Sequence, residues 1–186
     1  MIVKQFLLNV IEANAFVCSC EKTREAMLVD AGEWNPAIPA YIESEHLTLK
    51  KIFITHDHGD HTAALPEILK EHDVPVIASL PEIEGIKTEL ISEGDTVSIG
   101  QYSGRIVLTP GHTPEGVSLI FPDTVFAGDA LFAGSVGGTK SDELADQQLT
   151  AIRKELFTLP PDTKVYVGHG PATTIAIESQ YNPFFV

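Results

Sequence analysis

Residues 55–61 read THDHGDH, three histidines and two aspartates in seven positions of a chain with only seven histidines. Neutral imidazoles at His56, His58 and His61, set beside the carboxylates of Asp57 and Asp60, are metal-ligand chemistry. The cluster follows the apolar run KIFI, and three further residues of the same kind also follow apolar runs. His112 comes after RIVLTPG, Asp129 after TVFAG and His169 after KVYVG. Glycines 59, 111, 128, 168 and 170 flank these positions and allow tight turns there. A lone histidine at a strand end is usually a turn residue; a run H-x-H-x-D-H with three later strand-end ligands is not. His56, His58, Asp60, His61, His112, Asp129 and His169 are too many for one four-coordinate ion. Two ions about 3.5–4 Å apart, sharing a carboxylate and a water, would use them all. Nitrogen and oxygen donors suit zinc, iron or manganese. Such a pair holds a water as hydroxide near neutral pH and polarises a carbonyl or phosphoryl group, so the residues read as a dinuclear hydrolase centre.

Rigid elements must aim these ligands at one place. IVKQFLLNV, NAFVCSC and EAMLVDAG read as strands, and NPAIPAYIESEHL holds a short helix begun by its prolines. A buried strand KIFIT enters the histidine loop, a helix covers AALPEILKEH and VPVIAS is a short strand. From DTVSIG to TVFAG the pattern is again strand and turn. SDELADQQLTAIRKELFTL has a helical apolar face at Leu149, Ile152, Leu156 and Leu159, with Ser141 as its cap. KVYVGHG is a last strand and TTIAIESQY a closing helix. Runs of strands with helices set between them predict an α+β chain, an αββα sandwich of two facing mixed sheets with helices outside. Nothing divides the chain, so 1–186 reads as one domain. His46 and His72 lie in polar stretches and are expected at the surface.

The 186 residues suffice to bury a real core, and 44 % apolar with 20 % charged is globular composition. A net charge of −14 opposes nucleic acid or an anionic membrane as partner. Cys18 and Cys20 form no disulfide framework and read as small core residues on one strand face. The start MIVKQFLLNV lacks the marks of a signal peptide, and no apolar stretch is of spanning length. The expectation is a cytoplasmic protein, monomer or homodimer, acting on a small molecule.

At these residues the chain resembles the metallo-β-lactamase superfamily, whose H-x-H-x-D-H signature stands here as His56 to His61. The likeness runs from NAFVCSC and MLVDAG through TPGHTPEG, FAGDALFAGSVGGTK and VYVGHGP to NPFF. TPGHTPEG and GDALFAGSVG are most similar to the glyoxalase II group, the hydroxyacylglutathione hydrolases, and to its small single-domain members. The resemblance implies two divalent metal ions, zinc ahead of iron or manganese. His56, His58 and His112 would hold one, Asp60, His61 and His169 the other, and Asp129 both. It further implies a thioester substrate, attacked by a hydroxide held between the ions, with Asp60 and Asp129 as the catalytic carboxylates. Asp57 is either a partner that orients a histidine or a plain loop residue. Two family features are missing: the C-terminal helical region that helps bind glutathione, since 17 residues follow His169, and an arginine at about Gly138. Lys140 could take part of an anion-binding role, against the plainer reading of a solvated loop lysine. The alternatives are a persulfide dioxygenase with one iron on His56, His112 and Asp129, or a lactone or ester hydrolase on the same site. A redox or sensor domain ranks below both.

Overall fold

The computed structural model of the protein describes residues 1–186. Two compact units are distinguished, Met1–Ile91 with Val97–Ser103, and Ser92–Thr96 with Gly104–Val186. The elements of the first run β1 (Ile2–Leu7), β2 (Asn14–Ser19), β3 (Glu25–Val29), α1 (Ala37–Ser44), β4 (Thr48–Phe53), α2 (Gly59–Thr62) and α3 (Leu65–Glu71). β5 (Val76–Ala78), β6 (Glu82–Ile83), β7 (Ile86–Lys87), β8 (Glu89–Leu90) and β9 (Thr96–Ile99) follow. The sheet order is β1-β2-β3-β4-β5-β8. β1, β2 and β3 pair antiparallel through short turns, whereas β3–β4, β4–β5 and β5–β8 are parallel. The change follows from the connections, because α1 lies between β3 and β4, and α2 and α3 between β4 and β5. Ala15, Val17, Ala26, Leu28, Ile52 and Ile54 form one core with Ile38 and Ile42 of α1 and Leu65 and Ile68 of α3. Each large aliphatic side chain so buried contributes about 1.5–3 kcal/mol. Every residue of β2 is buried, so both faces of this strand are covered. Cys18 and Cys20 are buried too, and burial pushes the Cys18 thiol up to about 12.

The second unit continues with β10 (Tyr102–Leu108), β11 (Val117–Phe121), β12 (Thr124–Gly128), β13 (Leu131–Phe132), β14 (Ser135–Val136) and α4 (Asp142–Ala151). α4 runs on into a π-helical turn, Ile152–Leu156, and β15 (Lys164–Val167), β16 (Thr173–Thr174) and α5 (Ile175–Tyr181) complete it. It is built on the run β16-β15-β12-β11-β10 of the other large sheet. β12 and β15 are parallel, with α4 in the connection, and the remaining pairs of the run are antiparallel. Val107, Val125, Ala127, Val165 and Val167 share a core with Ile152, Leu156 and Ile175. Ser141 caps α4, its Oγ accepting from the Leu144 amide at 3.3 Å.

Mixed sheets with helices agree with the α+β reading, and the expected elements are present with shifted ends. The first two residues of TTIAIESQY are strand, and Thr174 caps the helix that follows, accepting from Ile177 N at 3.3 Å. The histidine loop contains a helical turn, α2, that no sequence period announces. His46 is exposed, but His72 is half-buried, its ring standing edge-on to Trp34 at 5.6 Å. No helix is long and apolar enough to cross a membrane.

Candidate metal centre

Parallel neighbours end at the same edge, so the residues that leave β3 and β4 meet. Asp30 N donates to Phe53 O at 2.9 Å, beside the start of the histidine loop. Asp30 is buried and has φ +60, a left-handed conformation that aspartate tolerates better than most residues. Its Oδ1 accepts from Thr55 N at 2.9 Å and from Thr55 Oγ1 at 3.1 Å, and its Oδ2 lies 3.0 Å from His61 Nδ1. Thr55 Oγ1 in turn stands 3.0 Å from His56 Nδ1. One buried carboxylate thus orients two imidazoles, one directly and one through a hydroxyl. With their δ nitrogens engaged, His56 and His61 present Nε2 as the ligating atom.

The helical turn α2 folds the loop back on itself. His61 N donates to His58 O at 2.9 Å, and Ala31 N donates to His61 O at 2.7 Å. The ring centroid of His56 is 4.8 Å from that of His58 and 4.4 Å from that of His61, while Asp60 Oδ2 is 3.3 Å from His61 Nε2. Four of the donors singled out above, His56, His58, Asp60 and His61, are therefore brought together in the first unit. Gly32 makes this possible, because a β-carbon there would stand 1.7 Å from the Asp60 carbonyl oxygen. Gly32→Ala is expected to push the loop off β3 and to lower the thermal midpoint by several degrees, about the shift of a 2–4 kcal/mol loss. A differential scanning trace matching the wild type would contradict that close approach. Asp57, by contrast, lies on the exposed side of the loop.

In the second unit β12 and β15 end together. Gly168 N donates to Gly128 O at 2.9 Å, so Asp129 and His169 leave adjacent strand ends. The β12–β15 register shifts between Phe126 and Gly128, an irregularity of the kind that re-aims side chains at sites. Asp129 Oδ2 is 3.5 Å from His112 Nε2 and 3.6 Å from His169 Nε2. His112 Nδ1 lies 2.7 Å from Gly138 O. A carbonyl can only accept, so Nδ1 carries the hydrogen and Nε2, on the side of Asp129, is the nitrogen placed to ligate. The ring of Phe132 stands edge-on to His169 at 5.9 Å. His112, Asp129 and His169 thus form the second donor set, and Lys140 is exposed.

Both sets can be tested for fit to a metal. Two donors at about 2.0–2.1 Å from one tetrahedral ion lie roughly 3.4 Å apart. The three nitrogen–carboxylate distances, 3.3, 3.5 and 3.6 Å, match that spacing and exceed an ordinary hydrogen bond. Imidazole nitrogens with carboxylate oxygens are a donor set for zinc, iron or manganese.

Mixed sheets that end in imidazole and carboxylate donors define a metal-binding protein of the hydrolase kind. The metallo-β-lactamase superfamily model matches residues 12–169, and the chain belongs to that superfamily. It is 34 % identical to a probable metallo-hydrolase, YqgX, of Bacillus subtilis, over 94 % of this chain and 92 % of that one. It is 33 % identical to a hydroxyacylglutathione hydrolase of Idiomarina loihiensis over 78 % of this chain, and spans 56 % of that relative's length. Among solved structures it is similar to ETHE1 from Myxococcus xanthus, with a TM-score of 0.89 and 32 % identity over 98 % of this chain and 84 % of that one.

Two orienting features had weak signals in the sequence. Asp30 stands at the end of an apolar strand before Ala31-Gly32, where a turn residue is the ordinary reading. Gly138 contributes a main-chain carbonyl, which no residue type can advertise.

Proposed function

We propose that the protein holds two divalent metal ions, its donors divided as the family resemblance implies, and that it hydrolyses thioesters. His56, His58 and His112 would bind one ion, Asp60, His61 and His169 the other, and Asp129 would be shared. The observation that carries this reading is a single carboxylate oxygen, Asp129 Oδ2, with imidazole nitrogens of two different strand-end residues at 3.5 and 3.6 Å. When bound, such a pair lowers the pKa of a water to about 7 and polarises a carbonyl oxygen. The chain's own residues supply orientation. Asp30 and Gly138 hold the δ nitrogens of His61 and His112, and the Thr55 hydroxyl faces that of His56, so each of these imidazoles offers its ε nitrogen as the ligand atom. The Phe132 ring limits how His169 can turn. A thioester is favoured over other esters by the likeness to hydroxyacylglutathione hydrolases. The thiol part of the substrate is left open, because Gly138 stands at about the place where the glutathione-using relatives would be expected to carry an arginine.

Elemental analysis of the purified protein, followed by assay of S-lactoylglutathione and simpler thioesters, tests the reading. Two metal atoms per chain with turnover of at least one thioester is the expected result. One iron per chain with oxygen consumption on a persulfide would instead put the dioxygenase first. Two metals and hydrolysis of lactones alone would keep the centre and replace the substrate.

A further inference from the structure

Helix α4 buries one residue completely, and it is polar. Gln148 is 0 % exposed, one turn ahead of the buried Ile152 and Leu156 on the same stripe. A leucine there would fit the stripe with no amide to desolvate. The side chain is held by its donors: Nε2 donates to Ala130 O at 2.9 Å and to Gly137 O at 3.1 Å. Its Oε1 is buried with no hydrogen-bond partner. Of the buried amide, the two N–H groups are matched and the acceptor is not, so the donors are what the position uses.

The two carbonyls matter by where they lie. Ala130 directly follows Asp129. Gly137 directly precedes Gly138, whose carbonyl fixes His112 Nδ1 at 2.7 Å. They are the two ends of the hairpin β13–β14, so one NH2 group closes the base of that hairpin. The same side chain also backs the residue before His112. A β-carbon on Gly111, which has φ +137, would fall 2.4 Å from Gln148 Cβ. Gly137 is pressed in as closely, since a β-carbon there would be 2.0 Å from Asp129 O and 3.0 Å from His112 Nδ1.

We propose that Gln148 is a positioning residue for the metal centre: it sets the distance between Asp129 and His112 by pinning the peptides next to each. It touches no substrate. The inference rests on the proposed ligand roles of Asp129 and His112. It predicts that the amide acts on metal affinity and geometry, beyond any contribution to folding.

The test uses the whole chain, stripped of metal and titrated with cobalt(II), whose visible absorption reports coordination geometry. Gln148→Met keeps length and apolar bulk but removes both donors; Gln148→Glu keeps shape and turns the donors into acceptors. Gln147→Met, at the exposed neighbouring position, is the control and should match the wild type throughout. Gln148→Met is expected to weaken cobalt binding about 10–100-fold, to change the visible spectrum, and to lower kcat more than it raises KM. Gln148→Glu should be affected at least as strongly. Wild-type cobalt affinity and spectrum in Gln148→Met would overturn the proposal even if the thermal midpoint fell, for the amide would then only stabilise the fold. If Gln148→Met does not fold, Gln148→Glu decides by the same criteria, and failure of both to fold also overturns it. The two ideas separate cleanly. A wild type that binds two cobalt ions but cleaves no thioester refutes the substrate reading alone, whereas a wild type active on thioesters with an unaltered Gln148→Met refutes only the positioning role.

Discussion

Asp129→Ala should lose about 10³-fold or more of any thioester hydrolysis, roughly 4 kcal/mol of transition-state stabilisation, and should carry less metal per chain. The size of the effect follows from the shared position of the carboxylate. Its Oδ2 lies within 3.6 Å of both His112 Nε2 and His169 Nε2, so under the proposed dinuclear reading its removal would take a donor from both ions. The fold should survive, because β12 is held by main-chain pairing to β11 and β15 and by the buried Val125 and Ala127. Circular dichroism should therefore overlay on the wild type while metal content and kcat fall. Retention of two tightly bound metals and full activity would remove the shared carboxylate, and with it the dinuclear reading.

Replacing Asp30 should produce the second large effect, and here two substitutions separate stability from orientation. Asp30→Ala strands the Thr55 amide, the Thr55 hydroxyl and His61 Nδ1, which the carboxylate now engages in a buried place. It also puts alanine at φ +60. The expected loss is about 3–5 kcal/mol, read as a large drop in the thermal midpoint. Asp30→Asn is the sharper instrument. Its carbonyl can still accept from Thr55, but an NH2 group would face His61 Nδ1, where a carboxylate oxygen now accepts the ring hydrogen. His61 must then turn or change tautomer. Metal affinity should fall about 10–100-fold with the thermal midpoint of the metal-free protein little changed. Isothermal titration beside thermal unfolding measures both quantities. Equal affinity in the asparagine variant would show that Asp30 serves the strand end and not the imidazole.

The seven candidate donors were readable from the chain because their signal is local. An H-x-H-x-D-H run needs no fold to be seen, and His112, Asp129 and His169 each follow an apolar run whose period marks a strand. Ser141 as the α4 cap and the buried Ile152 and Leu156 were readable for the same reason, since caps and helical stripes repeat within one or two turns. The donors' supports were not. Asp30 resembles any aspartate at a turn until parallel pairing of β3 and β4 places it beside Thr55 and His61, 25 and 31 positions further on. Gln148 resembles a surface residue in a polar helix until the hairpin ends at Ala130 and Gly137 arrive above it. Gly138 acts through a carbonyl, which its side chain cannot reveal.

By itself, then, the sequence determined which residues are candidate metal ligands, which elements carry them and the α+β class, all consequences of residue type and short-range period. Tertiary structure alone decided which nitrogen of His56, His61 and His112 is held by an orienting partner and how far apart neighbouring donors stand. Those properties depend on hydrogen bonds between residues remote in sequence, whose partners are chosen only when the strands pair.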